Sequence, residues 1–159
     1  MLVLHLNSLA ETEAFGRRLG AALFPGAVVA LIGQLGAGKT QLVRAMAQGL
    51  GIVNPDLVSS PTFVLIQEYE ARLTIYHFDA YRLGSEAEFA ELGVHEYFAA
   101  GGVCLIEWAD KVRGVLPAEY LEARMYAAGP ESRRVELQAH GTRYEAMVAG
   151  AALAASGVA

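Results

Sequence analysis

Hydrophobic positions in the first third of the chain follow two different spacings. Apolar residues recur at helical spacing over residues 11–23, which predicts an amphipathic helix. After a break at Pro25 and Gly26, residues 27–32 form a continuous apolar run, typical of a strand buried on both faces of a parallel sheet. Helical spacing returns over residues 39–50. The pattern therefore predicts a helix, a strand, a glycine-rich loop and a second helix, in that order.

The rest of the chain alternates between strand-like and helix-like segments. β-branched and aromatic residues predict two hairpins, at 63–69 with 73–78 and at 121–126 with 134–138, and a buried strand at 103–108. Helical spacing and capping residues predict helices at 85–91, 94–99 and 142–155. This order predicts an α/β fold in which a central parallel sheet is extended by antiparallel hairpins. A chain of 159 residues fits a single domain, which we assign to residues 1–159.

Composition narrows the class of protein. Hydrophobic residues make up 54% of the chain and charged residues 18%, which is too apolar for a disordered protein. The apolar runs are far shorter than the roughly 20 residues that a membrane helix needs, and residues 1–10 lack the features of a secretion signal. We therefore expect a cytoplasmic protein without membrane contacts. The single cysteine, Cys104, excludes an internal disulfide and the usual kind of zinc site.

The charge balance bears on possible partners. The formal net charge is −5 and the isoelectric point is near 5.3. Proteins that bind nucleic acid by themselves usually carry a basic surface, because phosphate contacts dominate that binding. Any role in nucleic-acid chemistry is therefore expected to run through partner proteins.

Residues 33–40, GQLGAGKT, match the phosphate-loop pattern G-x-x-x-x-G-K-[ST]. Glycines allow successive backbone N–H groups to surround phosphate oxygens, and the following helix directs its positive end at them. Lys39 would neutralise the β- and γ-phosphates, and Thr40 would offer its hydroxyl to Mg²⁺, which prefers hard oxygen ligands. This segment, called the glycine loop below, predicts binding of a nucleoside triphosphate with magnesium.

Two of the predicted strands end in a carboxylate, at Asp79 and at Glu107. A phosphate loop needs an acidic residue at the end of a neighbouring strand, to bind the metal or to order the attacking water. Both residues fit that role, and each could instead be the first solvated residue after a buried strand. His77 lies in the same strand as Asp79 and could act as a base. We interpret His77 as a packed or hydrogen-bonded histidine without a catalytic role.

Two further features concern the nucleotide. Ser60, Pro61 and Thr62 follow the helix of the glycine loop, at the place where many P-loop proteins sense the γ-phosphate; an ordinary loop is an equal alternative. The guanine-reading motif N-K-x-D is absent from the sequence, because neither Lys39 nor Lys111 follows an asparagine. Adenine is therefore the favoured base.

Together these segments resemble the TsaE family, the small bacterial ATPases of tRNA threonylcarbamoyladenosine synthesis. The matching pieces are GQLGAGKT at 33–40, SPT at 60–62, YHFD at 76–79, YRL at 81–83, ELG at 91–93 and EW at 107–108. They have the family's order and spacing and extend from residue 27 to about residue 117. The N-terminal helix and the tail fit in length only.

The resemblance implies a function and a set of site residues. It implies weak intrinsic ATPase activity in a protein that acts with TsaB and TsaD, and with tRNA through that complex, to place a threonylcarbamoyl group on the adenosine next to the anticodon. It implies that Lys39 and Asp79 are catalytic and that Thr40 and Glu107 bind Mg²⁺. The residues expected to contact the nucleotide are Gly33, Leu35, Gly36, Ala37, Gly38, Lys39, Thr40, Gln41, Thr62, Trp108 and Arg134.

Two of these positions depart from the family or extend beyond its motifs. Gln41 stands where the family often has a second threonine; a glutamine can still donate to a phosphate but has no hydroxyl. Arg134, in the tail hairpin, is expected near the adenine, together with the start of the first helix near Thr12.

Two functions of other classes remain open from the sequence. A small-molecule kinase is expected to have an arginine-rich lid and an acceptor pocket, yet only Arg82 occurs between Asp79 and Val103. A nucleotide-gated binding module would bind ATP without measurable release of phosphate. Phosphate release therefore distinguishes the binding module from the ATPase.

Overall fold

In this computed structural model, which describes residues 1–59 and 65–155, seven strands form one mixed sheet. The strands are β1 (Leu2–Leu6), β2 (Val28–Ile32), β3 (Ile66–Tyr69), β4 (Ile75–Asp79), β5 (Val103–Glu107), β6 (Tyr120–Ala127) and β7 (Arg133–His140). They lie in the order β1-β7-β6-β2-β5-β4-β3. Strands β6, β2, β5 and β4 are parallel, and antiparallel pairing adds β7 and β1 at one edge and β3 at the other. A mixed α/β fold with a parallel centre is thus confirmed.

The helices begin and end close to the predicted positions. The α-helices among these residues are α1 (Leu9–Ala21), α2 (Lys39–Gly49), α3 (Glu86–Glu91), α4 (Val94–Phe98) and α5 (Thr142–Ala155), and short 3₁₀ helices occur at Pro55–Leu57 and Ala109–Val115. The Ser8 and Ser85 hydroxyls accept the N–H of Glu11 and Glu88 and so cap α1 and α3. No helix in the described ranges has the length and apolar character needed to cross a membrane.

Both faces of the central strands are buried, which explains their continuous apolar runs. In β2, Val29 and Leu31 belong to the core under α1, α2 and α5, whereas Val28 and Ala30 belong to the core under α3 and α4. Strand β5 is buried at every position. Alternate residues of one strand thus serve two hydrophobic cores, as expected for a parallel sheet covered on both sides.

One strand is not predicted by the hydrophobic pattern. β1 lies at the edge of the sheet and pairs antiparallel with β7, from the other end of the chain. Leu4 and Leu6 are buried, while Val3 and His5 are exposed. Such a short strand is stabilised by a partner that is distant in sequence, so its own five residues carry little signal. The hairpin predicted at 63–69 and 73–78 is confirmed for β3 and β4; residues 63 and 64 lie outside the described part of the chain.

The parallel strands in the centre of the sheet bring the polar residues at their carboxyl ends close together. Glu107 at the end of β5 lies beside Leu31 of β2 and beside Asp79 of β4. The glycine loop leaves the same end of β2 and leads into α2. Ligand sites in open α/β sheets form at the carboxyl ends of parallel strands, so this edge is where a site is expected.

Candidate functional site

The glycine loop has a backbone that requires glycine at two positions. Gly36 and Gly38 have φ angles of 82° and 100°, in the left-handed region that other residues rarely adopt. Gly38 is the residue before α2, and no side chain of the described residues caps this helix. The first N–H groups of α2 therefore remain available to an anion, and the helix dipole adds positive charge at the same point.

Lys39 is the charged residue at the centre of the site, and only 5% of its surface is exposed. Its Nζ donates to the carbonyl oxygens of Gly33 at 2.7 Å and Gln34 at 3.0 Å. Burial lowers the pKa of the Lys39 ammonium, and the nearby carboxylates of Glu107, Asp79 and Asp110 oppose that shift. A buried cation with carbonyl partners is suited to receive a strongly anionic group such as a phosphate.

Thr40 and Glu107 bring a hydroxyl and a carboxylate, both hard oxygen donors, together beside the loop. The Thr40 hydroxyl lies 2.9 Å from Oε1 and 3.1 Å from Oε2 of Glu107, whose exposure is 2%. Mg²⁺ is usually bound by one or two protein oxygens, with water and phosphate oxygens completing an octahedron. No cluster of three or more histidine, cysteine or acidic ligands occurs in the described residues. The pair therefore fits a magnesium ion that takes further ligands from a nucleotide.

Asp79 lies beside Glu107 and is almost completely buried. The two residues are register partners in β4 and β5, and 8% of Asp79 is exposed. Its Oδ1 accepts the backbone N–H of Tyr81 at 2.9 Å. The Asp79 carboxylate is close enough to act electrostatically on Lys39.

Trp108 has an unusual backbone and connects the loop to the surface. Its φ of 58° makes it the one non-glycine residue with positive φ in the part of the chain that the structure describes, a conformation that costs about 1–3 kcal/mol and tends to occur at functional sites. Its ring lies 4.1 Å from the Nζ of Lys39 and 4.8 Å from the ring of Tyr81, which is 49% exposed. The indole thus contacts the buried lysine on one side and an exposed tyrosine on the other.

A cavity of about 300 Å³ collects most of the residues expected from the sequence. It is lined by Leu35, Gly36, Gly38, Lys39, Thr40, Gln41, Glu107, Trp108 and Arg133. A neighbouring cavity of about 240 Å³ has Gly33 and Trp108 in its wall. Ala37 is part of the loop but is buried in the core at 3% exposure.

The other expected contacts lie elsewhere. Arg134 does not line this cavity; its guanidinium lies 4.3 Å from the centre of the Tyr126 ring and 3.5 Å from the Glu136 carboxylate. Thr12 is buried, and its hydroxyl donates to the Ser8 carbonyl. Thr62, with Ser60 and Pro61, lies outside the described residues.

Arg133 is a site residue that sequence reasoning missed. Its Nη1 donates to the carbonyl oxygens of Gly129 at 3.2 Å and Ser132 at 2.9 Å, and its Nε lies 3.2 Å from where a Cβ on Gly38 would stand. That buried Nε has no hydrogen-bond partner among the described residues. Neighbours in a strand face opposite sides, so only one of Arg133 and Arg134 can face the loop. The register with β1 and β6, which the sequence does not show, decides which one.

His77 is packed and hydrogen-bonded, as interpreted from the sequence; its lack of a catalytic role stays a prediction. His77 is fully buried, its Nε2 lies 2.6 Å from Oε2 of Glu107, and its Nδ1 lies 3.2 Å from the Tyr69 hydroxyl. The contact with Glu107 is not visible in the sequence, because it joins residues of two different strands.

Cavity size by itself does not identify the site. A cavity of about 450 Å³ lies between β1, α1 and α5, and an apolar one of about 250 Å³ lies between α1 and α5. Neither has a residue of the glycine loop, Asp79 or Glu107 in its wall. The convergence of a lysine, a hydroxyl and a carboxylate is the stronger indication of function.

Fold and site together define an α/β protein in which a lysine, a hydroxyl and two carboxylates lie at the carboxyl ends of parallel strands, around a glycine loop. Residues 6–135 match the family described as "Threonylcarbamoyl adenosine biosynthesis protein TsaE", and the chain belongs to this family. The tRNA threonylcarbamoyladenosine biosynthesis protein TsaE of Bacillus subtilis is 44% identical over 136 residues, which cover 85% of this chain and 84% of that protein.

Other relatives agree with this assignment. The protein of the same name from Treponema pallidum is 44% identical over 111 residues, covering 70% of this chain and 81% of its own. The crystal structure of Bacillus subtilis YdiB superposes with a TM-score of 0.81 at 37% identity, over 95% of this chain and 93% of that one. The similarity therefore extends over nearly the whole fold.

Proposed function

We propose that the protein is a P-loop ATPase with weak activity of its own, which acts in the cytoplasm with TsaB and TsaD to form the threonylcarbamoyl group on the adenosine next to the tRNA anticodon. The observation that carries the proposal is the Thr40–Glu107 pair beside the buried Lys39 at the mouth of the glycine loop. The biosynthetic role is supported by the names of the relatives. ATP and Mg²⁺ are the proposed ligands.

Each residue of the site has a proposed role that follows from its position. The free N–H groups at the start of α2 and the ammonium of Lys39 would bind the phosphates of ATP. Thr40 and Glu107 would bind Mg²⁺, which when bound supplies positive charge to the β- and γ-phosphate oxygens. Asp79, beside Glu107 and close to Lys39, would orient the attacking water. Arg133 is a second cation on the wall of the same cavity.

Partners are proposed to dock beside the nucleotide. The proposed docking surface consists of Tyr81, Arg82 and Trp108; residues 60–62, expected to belong to it, lie outside the described part of the chain. Trp108 contacts both Lys39 and Tyr81. A change at the phosphate site can therefore reach the docking surface through one side chain. With a net charge of −5, tRNA is expected to be reached through the partner proteins.

Calorimetric titration with ATP and Mg²⁺ tests nucleotide binding. Lys39→Ala is expected to remove most of the ATP affinity, because the phosphates lose their nearest compact cation. The control is Lys111→Ala, which removes the same charge from an exposed lysine whose Nζ lies 5.9 Å from the Trp108 ring. Equal binding by Lys39→Ala and the parent protein would refute the phosphate-loop assignment.

Phosphate release with and without TsaB and TsaD tests the partner role. We expect slow hydrolysis by the protein alone and faster hydrolysis with partners, with the stimulation reduced by Trp108→Ala or Arg82→Ala. Val53→Ala, at a residue that is 84% exposed beyond the opposite end of α2, is the control. A rate of phosphate release that the partners leave unchanged would favour a nucleotide-gated binding module. Partner binding that is equally tight with and without nucleotide would also contradict the partner-stimulated ATPase. Transfer of phosphate to a small molecule would favour a kinase.

A further inference from the structure

A row of hydrogen bonds leads from Ser59 through Tyr69 and His77 to the proposed metal ligand Glu107, and its contacts from Tyr69 to His77 and from His77 to Glu107 are buried. We propose that His77, itself held by Tyr69, is a positioning residue that orients the Glu107 carboxylate toward Thr40 and so sets the strength of magnesium-dependent ATP binding. This inference rests on the proposed function, because it needs the Mg²⁺ site at Thr40 and Glu107. It adds a role for two residues that neither line the cavity nor belong to the glycine loop.

The geometry places His77 directly behind the carboxylate. His77 pairs with Leu105 in the register of β4 and β5, and Glu107 lies two residues further along β5, so both side chains lie on the same face of the sheet. Nε2 of His77 is 2.6 Å from Oε2 of Glu107. The Thr40 hydroxyl lies 2.9 Å from Oε1 and 3.1 Å from Oε2. The carboxylate thus has one partner that lines the cavity, Thr40, and one that is fully buried, His77.

Tyr69 fixes the histidine in turn. The Tyr69 hydroxyl donates its proton to Oε1 of Gln67 and hydrogen-bonds to the Ser59 backbone. Since its one proton is used, it can only accept from Nδ1 of His77, which lies 3.2 Å away. Both nitrogens of the ring are engaged, so the ring cannot turn without breaking two hydrogen bonds.

Complete burial makes this arrangement costly to disturb. His77 is 0% and Glu107 2% exposed, so water does not readily replace a lost partner. Without the hydrogen bond to His77, the Glu107 carboxylate would rotate about its side-chain torsions and spend less time facing Thr40. In metal sites, removal of a residue that orients a ligand typically lowers metal affinity by about 10- to 100-fold. The same range applies here if His77 acts through Glu107.

The proposed test compares ATP binding with Mg²⁺ and with a chelator, by calorimetry. In the parent, Mg²⁺ is expected to tighten ATP binding. His77→Ala should reduce that magnesium-dependent gain by about tenfold and leave ATP affinity in chelator unchanged. Tyr69→Phe keeps the ring, removes the hydroxyl and should produce a smaller reduction of the same kind. If His77→Ala does not fold, Tyr69→Phe by itself still tests the proposal.

The matched control is Tyr144→Phe. Tyr144 is another buried tyrosine, whose hydroxyl accepts the Val28 N–H at 2.9 Å and which contacts no residue of the site named above. It should lose stability without any change in the effect of Mg²⁺. In a Glu107→Gln background, adding Tyr69→Phe or His77→Ala should have no further effect on ATP binding, because the residue to be positioned is already altered.

The outcomes distinguish failure of the proposed magnesium site from failure of the positioning role of His77. If the parent protein shows no gain from Mg²⁺, the proposed magnesium site is wrong and this inference falls with it. If the parent shows the gain and both variants retain it, only the positioning role is wrong. Equal loss of affinity with Mg²⁺ and in chelator, or an undiminished effect in the Glu107→Gln background, would show that His77 and Tyr69 merely pack the core.

Discussion

Lys39, Asp79 and Glu107 are charged residues that the fold almost completely removes from water. A buried charge costs several kcal/mol unless it is paired and hydrogen-bonded. Lys39 has two carbonyl partners and nearby carboxylates, and Glu107 has a threonine and a histidine. Opposite charges placed together at the carboxyl edge of a sheet suit a ligand that brings both anionic phosphates and a cation.

The two acids are expected to have separate effects. Glu107→Ala should weaken magnesium-dependent ATP binding, because Glu107 contacts Thr40, whereas Asp79→Ala should leave ATP bound and slow hydrolysis, because Asp79 lies one strand further away. Calorimetry and single-turnover phosphate release measure the two effects. If Asp79→Ala loses binding and Glu107→Ala keeps it, the two roles are reversed.

The neighbouring arginines of β7 provide a second residue-scale prediction. Arg133→Ala should weaken ATP binding about tenfold, or about 1.4 kcal/mol, because we propose that the Arg133 guanidinium donates a charge-assisted hydrogen bond to the bound nucleotide. Arg134→Ala removes the same charge from the next position, where the guanidinium lies over Tyr126. It serves as the control and should bind as the parent does. The opposite ranking in the same titration would place the nucleotide contact at Arg134.

At the scale of elements, α1 and α2 pack unusually closely through glycine. A Cβ on Gly20 would overlap the Met46 carbonyl group, and one on Gly49 would overlap the Arg17 carbonyl oxygen. Both obstacles are backbone atoms, which cannot move aside as a flexible side chain can. The close contact with α1 fixes the position of α2, and the first residues of α2 belong to the candidate site.

Gly20→Ala should accordingly destabilise the protein by about 2 kcal/mol, within the range for overpacking a core. Gly150→Ala is the matched control, because Gly150 lies in α5, is exposed and has no atom within 4 Å of an added Cβ. It should be neutral or stabilise by up to about 1 kcal/mol through helix propensity. Urea unfolding measures both, and equal effects would contradict the close-packing argument.

At the scale of the whole molecule, Glu122 connects parts of the chain that lie on different elements. Its carboxylate in β6 accepts from Arg113 of the Ala109–Val115 helix at 2.7 Å and from Arg124 at 2.8 Å. Burial by itself would raise the pKa of Glu122, but the hydrogen bonds and charges of Arg124 and Arg113 outweigh it, so the pKa lies below its ordinary value.

This lowered pKa predicts how global stability depends on pH. A carboxylate whose pKa is depressed by folding stabilises the native state above its unfolded pKa, and this contribution is lost as the pH falls through the folded pKa. Glu122→Gln should therefore reduce the free energy of unfolding at neutral pH, by about 1 kcal/mol because both arginines are partly exposed. Denaturant unfolding over a pH series measures the difference from the parent. A difference that persists undiminished in acid would contradict this origin.

The sequence by itself determined the parts of the protein that depend on neighbours along the chain. Helical and strand spacing located the five α-helices of the described residues and the central strands, and GQLGAGKT marked the glycine loop between β2 and α2. Carboxylates at the ends of apolar runs indicated Asp79 and Glu107. These inferences succeed because side-chain periodicity and glycine's backbone freedom are local properties. Assignment of the chain to one domain remains a prediction.

Only the tertiary structure decided which side chains meet. β1 exists because β7 returns from the other end of the chain to pair with it, and the register of that pair directs Arg133, and not Arg134, to the glycine loop. The contact of His77 with Glu107 depends likewise on the alignment of β4 with β5. Strand register is set by contacts between distant segments, and a shift of one residue turns every side chain to the other face. No window of local sequence contains that information.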